Sequence, residues 1–77
     1  MKKSEFIKRL KKDRISERYY SLTGGTPNDK LCIEKIPGGW EVYYSERGDK
    51  YRVEKYRSEE DAYDSLYKRL KSMVDVN

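Results

Sequence analysis

Residues 37 to 70 most constrain what this chain can fold into, because they read as two strands joined by tight turns and followed by a capped amphipathic helix. Pro37-Gly38-Gly39 and Glu46-Arg47-Gly48-Asp49 are turn clusters on either side of the β-prone run Trp40-Glu41-Val42-Tyr43-Tyr44-Ser45. A second such run, Tyr51-Arg52-Val53-Glu54-Lys55-Tyr56, follows. Ser58-Glu59-Glu60-Asp61 then offers a hydroxyl N-cap and first-turn acids, which satisfy orphaned backbone N–H groups and suit the helix dipole.

Upstream, Lys30 to Ile36 reads as a further strand, which the Pro37-Gly38-Gly39 turn pairs antiparallel with the Trp40 run. Alternation puts Trp40, Val42 and Tyr44 on one face and Glu41, Tyr43 and Ser45 on the other. The Trp40 face is expected to be the core, with Trp40 meeting Leu66 of a final helix whose stripe is Ala62, Leu66, Leu70 and Met73, and with Tyr63 and Tyr67 beside it. A first helix capped by Ser4 presents Phe6, Ile7 and Leu10 at helical spacing, and residues 16 to 22 read as a short helical turn. Residues 23–29, rich in Gly, Pro and Asn-Asp, read as a flexible loop. The expected architecture is therefore one small α+β domain over residues 1–77. It consists of a three-stranded antiparallel sheet with an N-terminal and a C-terminal helix packed on one face, in the order α-β-β-β-α.

A chain of 77 residues has room for one compact core. Charged residues make up 42% of it, but the single Trp, eight Tyr and patterned aliphatics argue for order. The net charge of +4 is unevenly spread: residues 1–18 hold eight Lys or Arg against three acids, and the remainder nets −1. The basicity thus belongs to the first helix, as a solvated face or an anion-binding patch. Cys32 is solitary, so no internal disulfide forms, which suits a reduced, cytoplasmic setting. Nothing resembles a signal peptide or a membrane span.

Histidine is absent, which removes the usual neutral-pH general base, the commonest transition-metal ligand and the Ser-His and Cys-His nucleophile pairs. The carboxylates are explained by position, as helix-start acids or loop residues, and the paired glycines lack the context of a phosphate cradle. The expectation is a chain without catalytic residues, metal or cofactor. Tyrosine is the unusual commodity. Eight cannot all sit in so small a core with satisfied hydroxyls, and surface Tyr among charges is what protein interfaces favour.

The run Trp40-Glu41-Val42-Tyr43-Tyr44-Ser45-Glu46-Arg47-Gly48-Asp49-Lys50, with Ser58-Glu59-Glu60-Asp61-Ala62 and an apolar helix after it, resembles small bacterial immunity proteins of polymorphic or contact-dependent toxin systems. The likeness extends over residues 4 to 72 or thereabouts and includes Tyr20-Ser21-Leu22-Thr23-Gly24-Gly25 with Pro27-Asn28 downstream. Its most specific piece is Tyr43-Tyr44-Ser45-Glu46-Arg47-Gly48. The resemblance implies a non-enzymatic antitoxin that binds one cognate toxin domain, often a nuclease, by direct contact. The surface expected to do so comprises Glu41, Tyr43, Glu46, Arg47 and Asp49, with Tyr63 or Tyr67 contributing. The α-β-β-β-α order also resembles double-stranded-RNA-binding domains and the DNA-binding sheets of ethylene-response factors and integrase N-termini. The alternative is accordingly a nucleic-acid-binding domain that uses its sheet or its basic first helix. Acids at the start of the last helix, Glu59, Glu60 and Asp61, oppose the RNA version.

Overall fold

Residues 1–74 are described by a computed structural model, and two tight turns organise their sheet. Ile36 pairs with Gly39 across Pro37-Gly38, where proline fixes the first corner and Gly38 takes a left-handed φ of 84°. Glu46 pairs with Asp49 across Arg47-Gly48, both at positive φ (51° and 82°), the mirror-image turn whose twist matches its flanking strands. In chain order the elements are α1 (Lys3–Lys12), a 3₁₀ turn (Glu17–Tyr19), β1 (Tyr20–Ser21), β2 (Lys30–Ile36), β3 (Gly39–Glu46), β4 (Asp49–Tyr56) and α2 (Glu59–Val74).

The α+β class stands, but the expected three-stranded antiparallel sheet is corrected to a four-stranded mixed one in the order β1-β2-β3-β4. β1 runs parallel to β2, with Tyr20 beside Leu31 and Ser21 beside Cys32, and the other pairs are antiparallel. Two residues are too few to carry a period of two, so β1 left no pattern to read.

Ser58 caps α2 as its sequence implies, its Oγ accepting from the Asp61 N–H at 3.0 Å. α1 is different: Ser4 lies inside it, and Lys2 precedes it without a side-chain cap. Its other end closes firmly. Arg14 takes φ 58° after Asp13, the Ile15 N–H reaches the Leu10 carbonyl at 2.9 Å, and the Arg14 N–H reaches that of Lys11 at 3.2 Å. This is the paired bonding of a Schellman stop, with Leu10 and Ile15 both in the core beneath it.

Both helices lie against the Val42 face of the sheet. Phe6 and Leu10 of α1, Leu31 and Ile33 of β2, Val42 of β3, and Ala62, Tyr63, Leu66 and Leu70 of α2 form one buried cluster. Three expectations change. Val42, not Trp40, is the buried centre of β3, and Trp40 is half-buried at the margin with the Lys35 ammonium 5.8 Å from its ring. Tyr63 is core, its ring 5.1 Å from that of Phe6, because α1 packs beside α2 and widens the arc that α2 must bury. Met73 is exposed. Among the described residues no helix is long and apolar enough to cross a membrane.

Candidate functional site

The sheet's second face is covered too, and this decides the fate of two residues expected at an interface. Residues 22–29 cross it from β1 to β2. Gly24 sits against the Glu34 side chain, at φ 72° and so close that a Cβ there would lie 2.5 Å from Glu34 Oε1. Beneath the crossing, Tyr43 is fully buried, its hydroxyl 2.7 Å from the Gly25 carbonyl and 2.8 Å from Glu34 Oε1, so its one proton serves either acceptor. The Gly25 N–H donates to the same carboxylate at 3.2 Å. Lys50 closes the network: its ammonium is 2.8 Å from Glu41 Oε2, 3.7 Å from Glu34 Oε1 and 4.5 Å from the centre of the Tyr43 ring. Cys32 and Ser45 are buried on this face, and Ser45 Oγ has no hydrogen-bond partner among the described residues.

Tyr43 and Glu41 thus do turn away from the helices, but into a packed polar layer, where they are spent on internal bonds. Tyr63 is in the core, as above. Tyr67 ties the helices together, its hydroxyl donating to Asp13 Oδ2 at 2.6 Å under the Arg9 guanidinium. Glu41, Tyr43 and Tyr63 are corrected to structural positions, since an interface needs side chains that a partner can reach, whereas Tyr67 is half-buried and bound to Asp13. Glu46, Arg47 and Asp49 remain at the β3–β4 turn, Arg47 and Asp49 exposed and Glu46 half-buried. Asn28 Oδ1 accepts from the Arg47 N–H at 3.2 Å, tying the crossing segment to this tip.

Hydrogen bonds to Glu34 from Tyr43 and then from Gly25, with Lys50 nearby, hold its carboxyl below the ordinary 4.5. A folded value below the unfolded one adds stability above the ordinary range and forfeits it as pH falls through the folded value. Melting temperature is therefore expected to drop as the pH is taken below about 4.5, and Glu34→Gln to flatten part of that fall. Asp13, held low first by the Tyr67 hydroxyl, acts in the same direction and leaves the remainder. An identical acid profile for the Gln variant would show that the bonds to Glu34 contribute nothing.

A second set of residues, missed in the sequence, gathers along β4. This edge strand is exposed over nearly its whole length. Val42 pairs with Glu54 and Tyr44 with Tyr51, so Arg52 and Val53 together stand opposite Tyr43 in a β-bulge, with Arg52 at φ 54°. Without the bulge Tyr51 and Tyr56 would face opposite sides. With it, both point to the α2 side, where the Tyr56 hydroxyl donates to Ser65 Oγ at 2.8 Å. Carbonyls freed by the irregularity are satisfied from α2: one Arg69 nitrogen donates to Val42 O at 3.3 Å and to Arg52 O at 3.2 Å, with Glu54 at 3.7 Å. Burial of this guanidinium, rather than any neighbour, is the main force lowering its pKa.

The row Leu31, Tyr44, Tyr51 across three strands, walled by Arg52, Arg69 and Met73, forms a groove of about 390 Å³ one residue pair beyond Ser45 and Lys50 from the turn. Tyr51, Val53 and Met73 are 45%, 42% and 38% exposed, and among the described residues only Tyr19 joins them as a strongly exposed large hydrophobic side chain. Two of the three flank this one groove, and Val53, in the bulge next to Glu54, faces the other side of the sheet. The signal available in the sequence was topological: β4 is the last strand of a meander, hence an edge, and an apolar residue there has no strand beyond it. Among the described residues no group of three His, Cys, Asp or Glu side chains is placed to hold a metal. What the arrangement offers chemically is apolar contact beside cationic side chains and unpaired strand edge. No protein-family model, curated protein or solved structure matches the chain.

Proposed function

We propose that this chain is an immunity-type inhibitor, a cytoplasmic binding protein that holds a cognate bacterial toxin domain by direct contact through β4, the β3–β4 turn and the last turns of α2. The observation that carries the proposal is the groove flanked by exposed Tyr51 and Met73, on the same edge strand as exposed Val53 and beside the charged turn Glu46-Arg47-Gly48-Asp49. A domain this small keeps most of its large apolar side chains inside, and apolar or aromatic side chains rimmed by charge are the composition of protein interfaces. The resemblance of the 40–50 run to immunity proteins supports the same reading, because its charged end is the turn that borders this surface.

The test is coexpression with the toxin domain encoded beside it. The wild-type chain is expected to restore growth and to copurify with the toxin domain as a stable complex. Failure to bind any neighbouring gene product, together with nucleic-acid binding that weakens steeply with salt, would replace this proposal with the nucleic-acid one, in which the exposed lysines of α1 contact phosphates.

A further inference from the structure

The groove between β4 and α2 has features that the fold alone does not require. Arg52 occupies a left-handed backbone position that costs a non-glycine residue about 1 kcal/mol, and the bulge re-aims its side chain to the groove wall. A glycine would serve the bulge better. Among the described residues Arg52 has no ion pair, and it stands beside Arg69, a like charge that is already half desolvated. Arg69 is committed through one nitrogen to two carbonyls, with Glu54 as its carboxylate neighbour at 3.7 Å. Leu31, Tyr44, Tyr51 and Met73 give the same groove an apolar lining. An arginine without an ion pair at the wall of an apolar groove is complementary to an apolar group carrying a negative charge next to it.

We propose that this groove receives an apolar side chain flanked by a carboxylate on the protein partner, the apolar group lying against Tyr51 and Met73 and the carboxylate meeting Arg52. The inference deepens the inhibitor proposal and rests on it for the identity of the partner, but the chemistry of the groove is testable without that partner. Fork-shaped guanidinium donors suit a carboxylate, and a desolvated pair of this kind is worth more than one at a rim. The apolar residue would be the anchor, and the acid would fix its orientation.

Two experiments separate the two claims. In the first, a capped Asp-Leu-Asp peptide and a capped Lys-Leu-Lys peptide are titrated into the labelled protein by NMR. The acidic peptide is expected to move the resonances of Leu31, Tyr51, Arg52 and Met73, and the basic one to leave them in place. Equal shifts with both peptides, or none with either, would overturn the groove assignment. So would a short oligonucleotide that moves the same resonances more strongly than the acidic peptide. In the second, the toxin domain is titrated with wild type, Arg52→Gly and Met73→Lys. Each substitution is expected to weaken binding at least about tenfold. Arg52→Gly removes the charge while suiting the left-handed backbone, so its loss of affinity is not a folding defect. Undiminished affinity in both variants would overturn the groove while leaving the inhibitor proposal in place. No binding by wild type would overturn the inhibitor proposal, and the peptides alone would then decide the groove.

Discussion

Leu66→Ala is expected to lower the stability of this domain by about 3–4 kcal/mol. Leu66 is fully buried at the middle of α2 in the cluster that includes Ile33, Val42 and Leu70. Its removal takes away transfer energy and leaves a cavity that two helices and a sheet, each fixed by the others, close only in part. A chain of 77 residues is expected to have a total stability of about 4–11 kcal/mol, so the variant gives up a large share of it. Trp40→Ala is the informative comparison. The side chain is larger, but it is half-buried at the edge of the core, so a smaller loss of about 1–2 kcal/mol is expected. Urea denaturation of the two variants side by side checks the order, and a larger loss at Trp40 would place the centre of the core at the wrong end of β3.

Gly39→Ala is expected to cost about 2–3 kcal/mol, although it adds one methyl group to a strand. A Cβ on Gly39 would lie 2.2 Å from the Tyr56 carbonyl oxygen and 3.2 Å from Arg57 Cα, both backbone atoms that no rotamer change can move aside. β3 and β4 would have to part at the end that carries the Trp40–Tyr56 pair, which would also loosen the Tyr56 contact to Ser65. The neighbouring Gly38 provides the control. Its Cβ would meet nothing within 4 Å, so Gly38→Ala costs only the strain of φ 84°. Thermal melts that rank Gly38→Ala as the more damaging would contradict the close approach.

What was legible in the sequence was what short-range chemistry dictates. Arg47-Gly48 and Pro37-Gly38 gave the two turns, alternation gave the faces of β3, and Ser58 gave the start of α2. The rest depends on partners that are distant along the chain. Alternation separates Tyr43 from Val42 but does not say what covers the Tyr43 side. A Gly, Pro and Asn segment reads as a loop whether it waves in solvent or, as here, brings Gly25 onto Tyr43 and Glu34. The stripe through Ala62, Leu66 and Leu70 was right until Met73, which lies at the open groove instead of in the core, while α1 drew Tyr63 inward. The candidate surface moved accordingly. Its turn, Glu46, Arg47 and Asp49, was read correctly as exposed or partly exposed, whereas the places of Tyr51 and Arg52 at the groove depend on a bulge that no local pattern announces.

The most direct test of the proposed inhibitor surface is amide hydrogen exchange of the chain, alone and with the toxin domain that it is found to neutralise in coexpression. Exchange reports protection segment by segment and needs no substitution. New protection is expected over residues 46–57 and the last turns of α2, with α1 unchanged. Protection confined to α1 and the 3₁₀ turn, with β4 exchanging as freely as before, would contradict that surface.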